Sequence, residues 1–334
     1  MSEPGQEPKA YEIRAVRWAP GAKQAVLLSE DECGRAPTAE QPGDALTWVH
    51  ITAKNIPATA ELLQSRFGFH PLEVEDALSN RERPHLHENS DHLFLAAPAV
   101  WMEGQKVVYS EVGFFVARSQ LVSVSVQALP LLDEWFARWQ ERGPDVGRHV
   151  GFLLHSLVDG IVDSYYPVLD ALEDQGDALE SAVFKGKPVQ VKELLRLKRR
   201  LLEVRRRLSP FRDILNGLLR RDLTMVSAES KPYFQDVYDH VLRILETVDV
   251  FRDILASVLD AHLANVSNRL NDVMRLLTVI ATVLMTLGLV AGWYGMNFKH
   301  MPELDWPWAY PALIGVMIGI AGLEVYFFKR KGWL

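Results

Sequence analysis

The chain has 334 residues, of which 36 are lysine or arginine and 43 are aspartate or glutamate, giving a formal net charge of −7. This acidic balance argues against a nucleic-acid-binding protein, because neutralising phosphates requires an excess of basic side chains. A single cysteine, Cys33, excludes an internal disulfide framework and a cysteine-rich zinc module.

The first part of the chain predicts an α/β domain behind a loose start. Residues 1–45 are rich in proline and glycine and predict a loosely structured segment with an edge strand around 11–18. Residues 46–148 predict the α/β cytoplasmic domain, because stretches that alternate apolar and polar residues flank helical patterns. The expected strands are 46–52, 92–101 and 107–126, and the expected helices are 58–67 and 71–78.

Residues 149–231 predict antiparallel helices of opposite charge. One continuous helix with an acidic later part is expected over 150–184, and a basic helix follows Gly186 and Pro188. We expect the two charged faces to be solvated and to attract each other. The alternative is that the acidic helix also concentrates cations near the mouth of a pore.

Residues 232–298 predict one long stalk helix that continues into a membrane. Pro232 suits a first helical turn, and no glycine follows before Gly288. Roughly 55 residues at 1.5 Å each make a rod of ~80 Å. Only its last third, at about 276–296, is apolar enough to be a first transmembrane span.

A second apolar segment predicts a second span at 306–328, after a short loop at 299–305. Lys329, Arg330 and Lys331 lie in a basic tail, 329–334, whereas the loop has more acidic than basic residues. The positive-inside rule therefore places both termini in the cytoplasm and the loop in the periplasm of a bacterial inner membrane. The alternative is a pair of buried core helices.

A stripe of small, polar or methionine residues follows the long helix in steps of four and three. Its members are Asp260, Ala264, Ser267, Asn271, Met274, Thr278, Ala281, Met285, Gly288, Gly292 and Gly295. Two explanations remain open. The stripe lines a pore in a homo-oligomer, which suits its polar members, or its small residues let membrane helices pack closely.

The sequence Tyr294-Gly295-Met296-Asn297-Phe298, followed by Met301-Pro302-Glu303-Leu304, resembles the signature of the CorA family of magnesium and cobalt transporters. The resemblance covers most of the chain from about residue 45, with further matches at 67–72, 232–240 and 267–274. It implies a funnel-shaped homopentameric channel in the lipid bilayer. It also implies influx of Mg²⁺, with Co²⁺ and Ni²⁺, driven by the membrane potential, without enzyme activity, organic cofactor or nucleic-acid partner.

The resemblance assigns roles to residues along the ion path. Gly295, Met296 and Asn297 are implied as the selectivity filter, where Gly295 lets the backbone turn and Asn297 amides recognise hydrated Mg²⁺. Glu303 and Asp305 are implied to attract cations. The inner constrictions are implied at Asn271, Met274, Leu277 and Met285, an acidic ring at Asp260 and a basic ring at Lys329, Arg330 and Lys331. The stripe adds Ala281 and Gly288 to the predicted pore wall. At one level of this wall the stripe favours Thr278, whereas the resemblance favours Leu277.

Regulation is also implied by the resemblance. Asp76 and Asp236 match a carboxylate pair that binds Mg²⁺ between neighbouring subunits, so that a cation relieves their repulsion and holds the channel closed. His240 lies one helical turn beyond Asp236 and is either part of a second cytoplasmic site or a surface side chain. Mg²⁺ is thus expected both as the transported and as the regulatory ion.

Four residues depart from the family pattern, and two other functions compete. Thr286 stands where relatives commonly have proline, and Gly288 and Leu270 stand where they have threonine. Glu324 places a carboxyl group in the second span. A zinc transporter of the related ZntB branch is the closest alternative. A membrane-anchored enzyme or sensor is less well supported, because no nucleophile or phosphate-loop motif occurs and His85 and His87 lack an evident third zinc ligand.

Overall fold

The structure is a computed structural model that describes residues 10–19, 22, 24–30, 32–34, 45–79, 84–104, 106–146, 149–187, 189–223, 225–297 and 301–333. Much of the expected loose start, including 1–9 and 35–44, lies outside these residues. The chain forms two compact units, residues up to 181 with 190–256, and residues 182–189 with 257–334. The first unit joins the sheet and the following helices, and the domain boundary expected near residue 148 stays a prediction.

The first unit contains one seven-stranded mixed sheet. Its strands are β1 (Tyr11–Trp18), β2 (Val26–Leu28), β3 (Leu46–Ala53), β4 (Leu86–Glu88), β5 (Leu93–Glu103), β6 (Lys106–Val116) and β7 (Gln120–Ser125). They lie in the order β2-β1-β3-β7-β6-β5-β4, and only β3 and β7 are parallel neighbours.

Two strand predictions need correction. The strand at 11–18 is confirmed, but it pairs with both β2 and β3 and is therefore not an edge strand. The single strand expected over 107–126 is a hairpin of β6 and β7, whose turn is closed by a hydrogen bond from the Ala117 N–H to the Gln120 carbonyl (2.8 Å). The sequence did not show this turn because residues 117–119 include neither glycine nor proline.

Helices cover both faces of the sheet. Alternation along β3 directs Val49 and Ile51 into a core with Leu63. On the opposite face, Trp48 stacks on Phe136, with ring centroids 4.2 Å apart. The helices of this unit are α1 (Ile56–Phe67), α2 (Pro71–Leu78), α3 (Leu131–Val146), α4 (Val150–Asp163), α5 (Tyr165–Phe184) and α6 (Val191–Arg220), followed by the start of α7 (Lys231–Tyr294).

The helix expected over 150–184 is in fact two helices, α4 and α5, separated at Ser164. The Ser164 hydroxyl donates a hydrogen bond to the Ile161 carbonyl (2.6 Å), which competes with continued helical bonding. The next residue, Tyr165, is fully buried and donates to the Pro98 carbonyl on β5 (2.9 Å). The helix therefore breaks where Tyr165 is anchored to the sheet, and the helical periodicity of the sequence does not reveal this break.

The expected attraction between the acidic and basic helices is not realised as ion pairing. In the described part of the chain, no salt bridge joins the acidic side chains of α5 to α6. The basic residues of α6 instead pair elsewhere, as Arg205 does with Asp249 on α7 and Arg207 with Glu203 (3.2 Å). The basic run therefore stabilises contacts of α6 with itself and with α7, and Arg200 donates a hydrogen bond to Gln175 Oε1 on α5 (2.8 Å).

The longest element is α7, a single helix of 64 residues and about 95 Å at 1.5 Å per residue. Its first part buries apolar side chains at helical spacing. These include Phe234, Val237, Val241, Ile244 and Val248. A 3-10 turn at Pro302–Asp305 precedes α8 (Ala309–Arg330). The continuity predicted for the stalk and the first span is confirmed.

A buried carboxylate on α2 is held by three side chains from β4 and the following turn. Glu73 is only 5% exposed and accepts hydrogen bonds from His92 Nε2 (2.8 Å), His87 Nδ1 (3.0 Å) and Asn89 Nδ2 (2.6 Å). Burial alone would raise the pKa of Glu73, but the hydrogen bonds from His92, His87 and Asn89 outweigh it and lower that pKa. The ionised form of Glu73 therefore stabilises the fold.

We expect Glu73→Gln to lower the free energy of unfolding by about 1–3 kcal/mol at pH 7. The N–H groups of the new amide would face the donor groups that the carboxylate accepted from, so hydrogen bonds would be lost. The folded-state pKa of Glu73 lies below its unfolded value, so its contribution is present above the unfolded pKa and is lost as the pH falls through the folded one. The difference between the two proteins should shrink below about pH 4.

Denaturant unfolding of the full-length protein in detergent, followed by tryptophan fluorescence, measures this difference. Glu61→Gln is the matched control, because Glu61 is exposed on α1 and its change should stay within about 0.5 kcal/mol. An equal loss of stability at pH 7 and pH 3.5 would contradict the role given to the Glu73 charge.

Candidate metal centre and ion pathway

Three carboxylates and one imidazole converge between α4 and α7. Asp159 and Asp163 are four residues apart on α4, and Asp236 and His240 are four apart on α7, so each pair shares a helix face. His240 Nδ1 lies 3.8 Å from Asp159 Oδ1 and 3.9 Å from Asp163 Oδ1. His240 Nε2 lies 3.8 Å from Asp236 Oδ2. These four residues are called the α4–α7 cluster below.

Repulsion between the carboxylates of the α4–α7 cluster favours the binding of a cation. Burial is the main cause that raises the pKa of Asp159, and the charges of Asp163 and Asp236 raise it further against the opposing effect of His240. Asp159 Oδ1 and His240 Nδ1 are both buried and have no hydrogen-bond partner among the described residues. A positive charge between these groups would satisfy both atoms and relieve the carboxylate repulsion.

The spacing of the cluster fits a coordinated ion. The ligand atoms of Asp159, Asp163 and His240 all lie within 4.8 Å of one another. A cation with bonds of about 2.1 Å holds its ligand atoms about 3.0–4.2 Å apart, which includes the distances of 3.8 Å and 3.9 Å from His240 Nδ1 to the Asp159 and Asp163 oxygens. Carboxylate oxygens suit Mg²⁺ completed by water, and the imidazole adds affinity for Co²⁺, Ni²⁺ and Zn²⁺.

The predicted regulatory residues do not all lie in one place within the chain. Asp236 and His240 belong to the α4–α7 cluster, whereas Asp76 is half-buried on α2 and is not part of it. The sequence did not single out Asp159 and Asp163 as ligands, because they stood within a longer acidic run. Their spacing of four residues was the available signal, but nothing local in the sequence connects them to His240.

The stripe residues are exposed on α7, as are all residues from 263 to 278. Along the second unit's part of this helix, partly covered positions recur at intervals of three and four residues at Thr282, Val283, Thr286, Leu287 and Val290. The stripe occupies other positions, and all the following members are exposed: Asp260, Ala264, Ser267, Asn271, Met274, Thr278, Ala281, Met285, Gly288, Gly292 and Gly295.

Leu277 and Thr278, which compete for one level of the predicted pore wall, are both exposed. The Thr278 hydroxyl donates to the Met274 carbonyl (2.8 Å), and Thr282 donates in the same way to Thr278 (2.8 Å). These bonds satisfy the hydroxyl donors inside the helix. The assignment of either residue to the pore wall stays a prediction.

Helix α7 ends at Tyr294, directly before the Gly-Met-Asn tripeptide. The chain turns at Gly295 after the helix ends, but Gly295 does not adopt a positive φ. A Cβ atom at Gly295 would instead lie 3.2 Å from the Ala291 carbonyl oxygen, which accepts the Gly295 N–H (3.0 Å). The tight approach of this last helical turn favours glycine. Asn297 follows with an exposed side chain, and 298–300 lie outside the described residues.

Exposed charges lie at both ends of α8. Glu303 and Asp305 are exposed on the 3-10 turn that precedes it. Lys329 and Arg330 occupy its last turn, where cations interact favourably with the helix dipole, and Lys331 follows. Between these ends, α8 has no buried residue in the described chain. Both α8 and the second half of α7 are long, apolar and exposed, so they can cross a membrane.

An α/β unit and two exposed apolar helices are the features of a membrane protein, and the α4–α7 cluster is a candidate cation site outside its spans. The chain belongs to the CorA-like Mg²⁺ transporter family, whose model matches residues 43–330. This family comprises divalent-cation transporters and not enzymes. The resemblance seen in the sequence is thereby confirmed.

Individual relatives agree with this assignment. The chain is 35% identical over 292 residues to the cobalt/magnesium transport protein CorA of Thermotoga maritima, covering 86% of this chain and 83% of that protein. Its fold matches the complete CorA magnesium transporter structure of Methanocaldococcus jannaschii with a TM-score of 0.83 and 23% identity, over 96% and 98% of the two chains. The ZntB cytoplasmic domain of Vibrio parahaemolyticus matches with a TM-score of 0.59 and 17% identity, over 77% and 99%.

Proposed function

We propose that this chain forms a homopentameric channel for Mg²⁺ influx, which also admits Co²⁺ and Ni²⁺. The observation that carries the proposal is the exposed stripe of small and polar residues along α7, which leads to Asn297 directly after the helix ends. An exposed amide such as that of Asn271 is costly against lipid and is satisfied when it faces water. Several copies around a common axis provide that water-filled space.

The proposed mechanism begins at the exposed charges of the loop. Glu303 and Asp305 raise the concentration of cations near the entrance. A ring of Asn297 amide oxygens then recognises Mg²⁺ through its hydration shell, which this ion gives up reluctantly. Met296 and Gly295 belong to the same filter. Moving two charges through 100 mV provides about 4.6 kcal/mol, which drives influx without ATP.

The proposed inner path continues along the stripe. Met285, Met274 and Asn271 form constrictions, with Leu277 or Thr278 between them and Ala281 and Gly288 at wider levels. Asp260 forms an acidic ring below the membrane, and the basic residues Lys329, Arg330 and Lys331 lie at the cytoplasmic face. This topology places both termini in the cytoplasm of a bacterial inner membrane, in agreement with the charge bias around the spans.

Gating is proposed to depend on cytoplasmic divalent cations. Asp76 of one subunit and Asp236 of its neighbour would share an ion, and the α4–α7 cluster would bind a second one within each chain. Because Asp236 and His240 are 3.8 Å apart, the two ions would influence each other electrostatically. High internal Mg²⁺ then favours the closed state, and its removal lets the subunits separate.

Uptake into proteoliposomes tests the proposed function. The full-length protein is reconstituted, an inside-negative potassium potential is imposed, and entry of Mg²⁺, Co²⁺ and Zn²⁺ is measured with protein-free vesicles as the control. We expect potential-dependent uptake of Mg²⁺ and Co²⁺. Uptake of Zn²⁺ alone would favour the ZntB-like alternative, which the imidazole in the α4–α7 cluster also suits, and the absence of any flux would contradict the channel proposal.

A further inference from the structure

The connection between α5 and α6 has basic and aromatic side chains to which the proposed function gives no role. In the described chain it consists of residues 182–187 and 189, which are called the tip below. The sequence from 182 to 192 contains Lys185, Lys187 and Lys192 and no acidic residue, although the preceding part of α5 is acidic. Phe184 is 70% exposed. Lysines beside an exposed aromatic ring are typical of segments that bind the surface of a membrane.

Hydrogen bonds fix the backbone of the tip. The Gly186 N–H donates to the Val183 carbonyl (3.0 Å), and the Lys187 N–H donates to the Ala182 carbonyl (2.9 Å). Gly186 has a φ of 65°, the left-handed conformation that favours glycine where a helix ends with these two bonds. The Asn265 side-chain amide on α7 donates to the same Val183 carbonyl (3.1 Å). The tip is therefore ordered beside α7 before any partner binds, which lowers the entropic cost of binding.

The tip belongs to the same compact unit as the two spans, because residues 182–189 group with 257–334. Asn265 precedes the first span, predicted from about 276, by eleven residues, or about 16 Å along α7. Lipid headgroups occupy about 5–7 Å of this distance, and a charged surface acts over about 8 Å more at physiological ionic strength. The lysines that follow the bonded Val183 carbonyl thus lie within the electrostatic range of the membrane surface.

The charge of the tip complements an anionic membrane. Lys185 and Lys187 are exposed, and neither forms a salt bridge within the described residues. Because the chain crosses the membrane twice, the basic end of α8, with Lys329 and Arg330, returns to the side on which the tip lies. Basic groups on one side of a membrane protein are attracted to the anionic lipids of that leaflet.

We propose that the tip is a peripheral anchor that binds anionic phospholipids of the leaflet it faces. Lys185 and Lys187 pair with the lipid phosphates, and the ring of Phe184 contacts the lipid surface. The partner is a bilayer and not a soluble phosphate, which would leave the Phe184 ring exposed to water. Binding attaches the end of α5 to the membrane beside α7. The proposal does not depend on which ion the protein transports.

Fluorescence quenching in lipid nanodiscs tests this anchor. A fluorophore is attached to full-length Gln190→Cys, because Gln190 is exposed directly after the tip, whereas the native Cys33 is buried and does not react. The nanodiscs contain lipids with a nitroxide on the headgroup, which quenches nearby fluorophores. We expect quenching in nanodiscs that contain phosphatidylglycerol, and its loss in 1 M NaCl, where the Debye length is about 3 Å.

Lys185→Gln/Lys187→Gln is expected to lower the ratio of bound to unbound tip by about 25-fold, or about fivefold for each lysine. Phe184→Ser should weaken the quenching and leave its dependence on salt. Lys106→Gln/Arg118→Gln is the matched control, because it removes two exposed basic groups from the first unit and should leave the quenching unchanged.

The absence of quenching, or equal quenching in phosphatidylglycerol and phosphatidylcholine nanodiscs, would overturn the proposal. Acetylation of exposed lysines, followed by peptide mass spectrometry, gives a second measurement on the unmutated chain. We expect Lys185 and Lys187 to be protected in phosphatidylglycerol nanodiscs and reactive in detergent. Protection that persists in detergent would assign the tip to a contact between copies of the chain and reject the lipid anchor. Both measurements report on lipid contact, so a protein without flux would still give an answer.

Discussion

Asn297→Ala is expected to reduce uptake of Mg²⁺ and Co²⁺ by more than tenfold while the assembly stays intact. Each lost amide contact to a hydrated ion removes about 0.5–1.5 kcal/mol, and one copy is lost from every subunit. A total above 1.4 kcal/mol corresponds to more than a factor of ten. Proteoliposome uptake measures the loss, and native mass spectrometry shows whether the oligomer persists.

Asn268→Ala is the control for this prediction. Asn268 is an exposed asparagine on α7, outside the stripe, and its replacement removes the same chemical group. We expect it to retain uptake near the wild-type rate. Undiminished and still selective uptake in Asn297→Ala would show that the ion is recognised elsewhere on the path.

Asp236→Lys is expected to raise the internal Mg²⁺ concentration needed for half-maximal closure by at least tenfold. The substitution removes a carboxylate 3.8 Å from His240 and puts a positive charge beside both proposed ion positions. Loss of groups around a bound metal typically costs about 10–100-fold in affinity. Flux through proteoliposomes loaded with graded internal Mg²⁺ gives the inhibition curve.

Two further variants separate the proposed ions. Asp159→Asn alters only the α4–α7 cluster, whereas Asp76→Asn alters only the pair proposed between subunits. Asp239→Lys serves as the control, because Asp239 is exposed on α7 outside the cluster and carries the same charge change. An unchanged inhibition curve in Asp236→Lys would reject regulation through this residue, and a shift in Asp76→Asn alone would locate regulation between subunits.

The surroundings of His240 and Asp236 bear on the regulatory hypothesis. The resemblance paired Asp236 with Asp76, and His240 was either a second ligand or a surface side chain. Within one chain, His240 is half-buried among three carboxylates, and its Nδ1 atom has no hydrogen-bond partner in the described residues. These contacts favour the ligand alternative. They also make Asp236 a shared element of both proposed ion positions.

The sequence by itself determined the parts of this protein that depend on local patterns. The two apolar spans and the continuity of the long helix follow from uninterrupted apolar runs and from the positions of proline and glycine, whereas the helix expected to reach 298 ends at Tyr294. Most strands and short helices were also predicted, because their periodicity is local. The errors arose where a turn or break lacks such residues, as at Ser164 and between β6 and β7.

Only the tertiary structure decided which polar groups meet. Asp159 and His240 lie on helices far apart in the chain, and Thr286 and Glu324 are 38 residues apart on different spans. A sequence pattern predicts only the local structure that each residue forms with its neighbours along the chain. The α4–α7 cluster and the contact between Thr286 and Glu324 depend instead on distances between side chains of different helices, and these distances are fixed only when the helices pack.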